Sequence, residues 1–95
     1  MPDQLTQRRQ IAELLREHRT LSSIAHDMAL TRAEVEDHVR HLLKTARAAG
    51  QKVTIEPARC RACGFVFDKN KITKPGKCPE CKGTRIYEPL ICIGR

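Results

Sequence analysis

The sequence predicts a small α+β fold, with three helices followed by two cysteine knuckles framed by short strands. Three observations carry this prediction. Apolar residues recur at helical spacing through the first fifty residues, up to Gly50. Two Cys-x-x-Cys pairs, Cys60/Cys63 and Cys78/Cys81, stand fourteen residues apart. Alternating stretches with β-branched residues, 52–56 and 84–88, flank the pairs, and each is closed by a proline.

The first helix is expected over residues 5–18. Ile11, Ala12, Leu14 and Leu15 give it an apolar side, and Arg8, Arg9, Glu13, Arg16 and Glu17 a solvated one. Thr20 is the expected N-cap of a short second helix, because its hydroxyl can accept an orphan backbone N–H. Leu21, Ile24, Ala25 and Met28 then follow at i, i+3, i+4 and i+7, a single buried stripe. Ala29 stands at a turn position often held by glycine. Thr31-x-x-Glu34 is a capping box that opens the third helix, with Leu30 and Val35 as its hydrophobic staple. That helix buries Val35, Val39, Leu42, Leu43 and Ala46 and stops at Gly50, which suits the left-handed position past a helix end.

Helix, short helix, tight turn and longer helix is the layout of a helix-turn-helix. Strand 52–56, an excursion and a returning strand 84–88 complete the elements of a winged helix-turn-helix, three helices plus a β wing, with a four-cysteine zinc ribbon in or after the wing. The chain then divides into residues 1–56, the helix-turn-helix with the first wing strand, and residues 57–95, the ribbon, returning strand and apolar tail. Leu90, Ile91, Cys92 and Ile93 form that tail, expected to pack in extended form on the helices or on a second subunit.

Two residues between cysteines let one tight turn present both thiolates to one ion, and two such turns complete a tetrahedral shell. One structural Zn²⁺ per chain is therefore expected on Cys60, Cys63, Cys78 and Cys81. Four thiolates leave no open position for a catalytic water. Phe65-Val66-Phe67 reads as a short strand, and Lys74-Pro75-Gly76-Lys77 as the turn back to the second pair. Lys82 separates Cys81 from Gly83, which predicts a second knuckle looser than a Cys-Pro-x-Cys-Gly turn. Spacing alone leaves iron open beside zinc, although the short gap favours the ribbon. The chain shows no apolar, signal-like start, so a reducing, cytoplasmic setting is expected, which disfavours two disulfides. A redox Cys-x-x-Cys would accompany a βαβ pattern, and none is visible.

The chain carries a formal charge of +7, unevenly spread. Residues 1–56 hold nine Lys/Arg against eight Asp/Glu, whereas residues 57–95 hold nine against three. A basic ribbon points to an acidic partner, with nucleic acid the first candidate. Two Phe, one Tyr and no Trp count against recognition of single strands by stacked bases. No apolar run approaches the roughly 20 residues of a membrane span. No nucleophile–base arrangement, phosphate loop or carboxylate pair is apparent, so the chain is not expected to be an enzyme.

In a helix-turn-helix the third helix meets the major groove. Candidate DNA contacts there are Thr31, Arg32, Arg40, Lys44 and Arg47. Its first turn also holds Glu34, Glu36 and Asp37, which suit the helix dipole and not a phosphate backbone. In the ribbon, Lys69, Lys71, Lys74 and Lys77 are candidate phosphate contacts. The expected partner is double-stranded DNA, and a homodimer would fit paired half-sites. The alternative is a protein–protein adaptor of the transcription machinery that uses the same scaffold without reading DNA. His18, His26, His38 and His41 lie far from the cysteines in sequence and read as helix-surface or interface residues, and Cys92 as a small buried one.

Three stretches together, T-L-S-S-I-A-H-D-M-A-L-T-R-A-E-V-E-D-H-V-R-H-L, E-P-A-R-C-R-A-C-G-F-V-F and K-P-G-K-C-P-E-C-K-G, resemble the predicted prokaryotic transcriptional regulators that fuse a helix-turn-helix to a rubredoxin-like zinc ribbon. The resemblance covers roughly residues 21–88. It implies a winged-helix fold, structural zinc on the four cysteines and a DNA-binding role.

Overall fold

The computed structural model describes residues 4–94. Among these, three helices, α1 (Gln4–Leu14), α2 (Leu21–Met28) and α3 (Arg32–Ala48), precede four short strands, β1 (Val53–Glu56), β2 (Arg59–Cys60), β3 (Ile86–Tyr87) and β4 (Leu90–Ile93). The mixed α+β class read from the sequence is therefore present.

The first helix ends earlier than its periodicity suggests. Beyond Leu14 the chain turns, and Arg19 Nε donates to the Leu14 carbonyl at 2.9 Å, satisfying one of the free acceptors at the helix end. The backbone of Arg19 has another use. Its N–H and carbonyl both pair with Ile91, at 3.0 and 2.8 Å, so the α1–α2 connection lies alongside β4.

The caps of α2 and α3 are as the sequence predicts. Thr20 accepts from the Ser23 N–H, and Thr31 and Glu34 form the full capping box. Both helices close with the same pair of backbone bonds: Leu30 N–H to Ala25 and Ala29 N–H to His26 for α2, Gln51 N–H to Ala46 and Gly50 N–H to Arg47 for α3. The closing residue is left-handed in each, Gly50 at φ +75° and Ala29 at φ 55°. Ala29 thus keeps the tight turn that glycine would give, at a backbone cost of roughly 1 kcal/mol.

The strands correct the expected wing. The partner of β1 is the apolar tail β4, with Val53 opposite Ile93 and Glu56 opposite Leu90. The segment predicted to return as the wing strand supplies β3, which pairs with β2, Arg59 opposite Tyr87 and Cys60 opposite Ile86. The two ladders share one register. Stepping inward from Glu56 and Leu90 brings Pro57 opposite Pro89, and the next matched pair beyond Ala58 and Glu88 is Arg59 and Tyr87. A single antiparallel hairpin is thus cut in two where facing prolines remove both donors.

One core joins the helices to the hairpin. Ile11, Leu15, Leu21, Ile24, Val35, Val39, Leu43 and Ile91 are buried together, and Ile72, from the loop between the knuckles, joins them at 2% exposure. His38 is buried between α1 and α3, its Nδ1 accepting from Arg8 Nε at 3.3 Å. Glu88 makes a second tie between hairpin and helices. Its carboxylate accepts from the Ser22 N–H at 2.9 Å and the Ser22 hydroxyl at 2.8 Å, at the start of α2.

Ile72 is the single apolar side chain of the loop in this core, so Ile72→Ala is expected to destabilise the metal-loaded protein by about 2–4 kcal/mol. Denaturant unfolding, followed by helical circular dichroism, checks this. A loss confined to the ribbon, with the helical transition unmoved, would show that the two parts do not share a core.

Candidate metal centre

The inter-cysteine chemistry begins in the backbone. In the first knuckle the Cys60 N–H donates to Phe65, and the Gly64 N–H donates back to Cys60, at 2.8 and 3.0 Å. In the second, the Cys78 N–H donates to Gly83, and the Lys82 N–H to Cys78, at 2.9 and 3.0 Å. The two turns are therefore equivalent, with Gly64 (φ +82°) and Lys82 (φ 63°) at the same left-handed position. The second knuckle is not the looser turn expected from the sequence, because Lys82 accepts the strained conformation. Gly83 has a separate role: a Cβ there would sit 3.3 Å from Cys81 Sγ, so its small size leaves room for the sulfur.

These turns bring the four Sγ atoms within 4.8 Å of one another. Cys60 and Cys81 sulfurs are 3.5 Å apart, as are those of Cys63 and Cys78, and every cysteine among the described residues is a free thiol. A tetrahedral ion with bonds of about 2.3 Å to sulfur needs S···S edges of roughly 3.8 Å. The cluster fits such an ion in size and donor chemistry, and with four ligands the shell is closed. The ion's contribution is a cross-link of two turns. Cys60 and Cys78 are buried and Cys63 and Cys81 exposed, so one flank of the site faces solvent.

Thiol acidity is divided unequally. The Cys63 backbone N–H favours the Cys60 thiolate and, against desolvation and with help from Ala62 and the neighbouring sulfurs, brings its pKa down to about 6. At Cys63 the Phe65 N–H also favours the thiolate, but desolvation and the sulfurs of Cys78, Cys60 and Cys81 prevail and push the pKa up to about 12. Cys81 is raised as well. There the Gly83 N–H is outweighed chiefly by the Cys60 sulfur and desolvation.

The structure supports this site with residues that the sequence reading did not single out. β2 lies between the Val66 segment, bridged to Arg59, and β3, so the knuckles hang from a two-stranded ladder with one added bridge. Phe65-Val66-Phe67 contributes a single bridge rather than a full strand, and its two rings pack edge to face at 5.0 Å. The signal for Ile72 was its isolation, one apolar residue in the polar run Lys71-Ile72-Thr73-Lys74. No comparable signal marked Glu88 or the ring of Tyr87.

The candidate DNA contacts fall into two groups. Thr31 uses its hydroxyl in the capping box, and Arg32 is exposed beside it. Arg40 is paired with Glu36 at 2.8 Å. Arg40, Lys44 and Arg47 line one groove of about 380 Å³ with Asn70 and Ile72 of the inter-knuckle loop, over Leu43 and Ile55. Lys69 and Lys71 flank Asn70, and they, Lys74 and Lys77 are all exposed. The fold thus brings the basic strip of α3 and part of the lysine loop to the same groove. Among the described residues, no helix is long and apolar enough to cross a membrane.

Zinc must displace the protons that Cys63 and Cys81 retain at neutral pH, whereas Cys60 is already largely a thiolate. Zinc loading at pH 7 is therefore expected to release at least about two protons per ion, and affinity to rise with pH through the neutral range. Calorimetry in buffers of different ionisation enthalpy counts these protons. Loading without proton release, or affinity independent of pH, would contradict the division of acidity described above.

Residues 57–95 match the family described as the PF0610 rubredoxin-like zinc beta-ribbon domain. Over its whole length the chain is similar to protein PF0610 from Pyrococcus furiosus, whose structure was solved in solution by NMR. The two share 34% identity and a TM-score of 0.82, with 100% of this chain and 94% of that chain covered. No curated protein matches. The agreement spans the helices as well as the ribbon, and the chain belongs to the PF0610 family of rubredoxin-like zinc β-ribbon proteins.

Proposed function

We propose that the chain is a duplex-DNA-binding transcriptional regulator built on a winged helix, with the zinc ribbon in the place of the wing tip. The topology supports the scaffold. A hairpin leaves α3 and returns as β4, and the α1–α2 connection joins the same sheet through Arg19 and Ile91. The observation that carries the functional reading is the groove shared by Arg40, Lys44, Arg47 and the inter-knuckle loop.

In this reading α3 enters the major groove, and the loop lysines hold phosphates of the flanking backbone. Lys44, Arg47, Lys69, Lys71, Lys74 and Lys77 supply affinity and salt dependence. Arg32 and Arg40 are the side chains placed to reach a base edge. The Arg40–Glu36 pair is exposed and weak, so a phosphate or guanine can replace the carboxylate. The metal's part is mechanical. Cross-linking the knuckles fixes both ends of the loop that carries the lysines and Ile72, so the loop is ordered before it meets DNA.

A second reading, a protein adaptor of the transcription machinery, is favoured by one observation. Glu34 is exposed at the start of α3, where a DNA-reading helix would face phosphates, and Asp37 follows one turn on.

Binding of the zinc-loaded chain to random duplex DNA, measured against salt, tests the first reading. Affinity is expected to fall steeply with salt. Joint replacement of Lys69, Lys71 and Lys74 by Ala should flatten the log–log slope by up to about three. Absence of binding at low salt would favour the adaptor, whereas binding with an unchanged slope would remove the loop from the interface.

A further inference from the structure

The ribbon has a second face, remote in composition from the lysine loop. Three large apolar side chains are exposed among the described residues: Leu5 at 69%, Val66 at 55% and Tyr87 at 50%. Two of them lie on the ribbon in one cross-strand row, because Arg59 pairs with Val66 on one side and with Tyr87 on the other. Arg61 stands two residues along the same strand direction. The guanidinium carbons of Arg59 and Arg61 lie 5.5 and 5.0 Å from the Tyr87 ring centroid. The row borders an open groove of about 530 Å³, floored by Pro57 and Leu90 where the facing prolines interrupt the hairpin.

The charges here are unbalanced in a specific way. Among the described residues no carboxylate pairs with Arg59 or Arg61. Glu88, which also lines the groove, is already bound to Ser22, and Glu56 is the other acid on the rim. No lysine lines this groove, although the loop between the knuckles holds four. Arginine and tyrosine with little lysine, around a half-exposed apolar row, is the composition of a protein-docking surface. A phosphate backbone would meet the Glu56 carboxylate there, whereas a peptide can place its acids on the arginines and an apolar side chain over the prolines.

We propose that this face docks a short acidic segment of a partner protein, anchored by one large apolar side chain. The apolar anchor fills the groove between Val66, Tyr87 and Leu90. Its neighbouring carboxylates take the free edges of Arg59 and Arg61, in the bidentate geometry that guanidinium groups favour. The surface shares no lining residue with the groove beside α3, so both can be occupied at once. The proposal does not depend on the DNA reading.

The chain has one tyrosine and no tryptophan, so its intrinsic emission reports on Tyr87 itself. The zinc-loaded full chain is panned against a displayed library of random 12-residue peptides. The selected peptides are then synthesised and titrated while Tyr87 emission is followed. The expected result is enrichment of peptides that pair Asp or Glu with Leu, Ile or Phe, and a Tyr87 response at saturation. Binding should weaken at least about tenfold in Arg59→Glu and in Val66→Asp, and stay unchanged in Lys71→Ala. Both weakening substitutions are at solvent-accessible positions, and zinc content with circular dichroism verifies their fold. Failure to enrich any peptide, or peptides that bind Arg59→Glu and Val66→Asp as tightly as the native chain, would overturn the proposal. A Tyr87 response to a thymidine 12-mer and none to peptides would reassign the face to single-stranded nucleic acid.

Discussion

Residues 57–95 cannot fold by burial alone, and the four thiols answer that constraint. Among the described residues of this stretch, the buried side chains are Ala58, Cys60, Ile72, Cys78, Ile86, Pro89 and Ile91. Two of the seven are metal-site cysteines, and Ile72 and Ile91 belong to the core under the helices, so little remains to hold the ribbon's far end. In a segment of this kind the free energy of metal binding is the free energy of folding. The knuckle turns are prepared for it by backbone bonds that do not involve the ion. A loop of fourteen residues then spans the gap with its ends fixed, and the single apolar side chain it turns inward meets α3 and β1.

The facing prolines decide how the ribbon is carried. Without the interruption, β1–β4 and β2–β3 would run as one stiff ladder. Pro57 and Pro89 remove the donors at one step and divide the ladder without disturbing its register. A joint at this point would leave the ribbon free to pivot, and two contacts oppose that freedom. Glu88, beside the joint, is bonded to the start of α2, and Ile72, from the inter-knuckle loop, is seated in the core. The α2 contact is also favourable to the helix, since a carboxylate at a helix N-terminus meets both free N–H groups and the positive end of the dipole.

Much of this was legible in the sequence. Caps, stripes and knuckles are local features, written within four or five residues, and they read correctly: Thr20, the Thr31–Glu34 box, Gly50 and the four cysteines. The strand partners were not legible in the same way. β1 has two candidate partners downstream, both flanked by Pro89, and choosing between them requires the register across a loop of more than two dozen residues. The apolar character of Leu90-Ile91-Cys92-Ile93 was the available hint, because that segment is the one able to fill the space under the helices. Lys82 misled for a related reason. Sequence shows that glycine is missing from the expected position, but not that neighbouring hydrogen bonds hold a lysine in the same conformation.

Most of the ribbon's positive charge falls in two places. Lysines occupy the loop between the knuckles, each a flexible, well-hydrated ammonium with no fixed geometry. Arg59 and Arg61 lie beside Tyr87, where a planar guanidinium can lie on a ring and still present its edge. Arg61 lies within the first knuckle and the lysine loop joins the two knuckles, so one cross-link ties the two surfaces together. An event on the lysine face that shifted Ile72 would be transmitted through the same short loop to the knuckles, the first of which carries Arg61 and follows directly on Arg59 of β2.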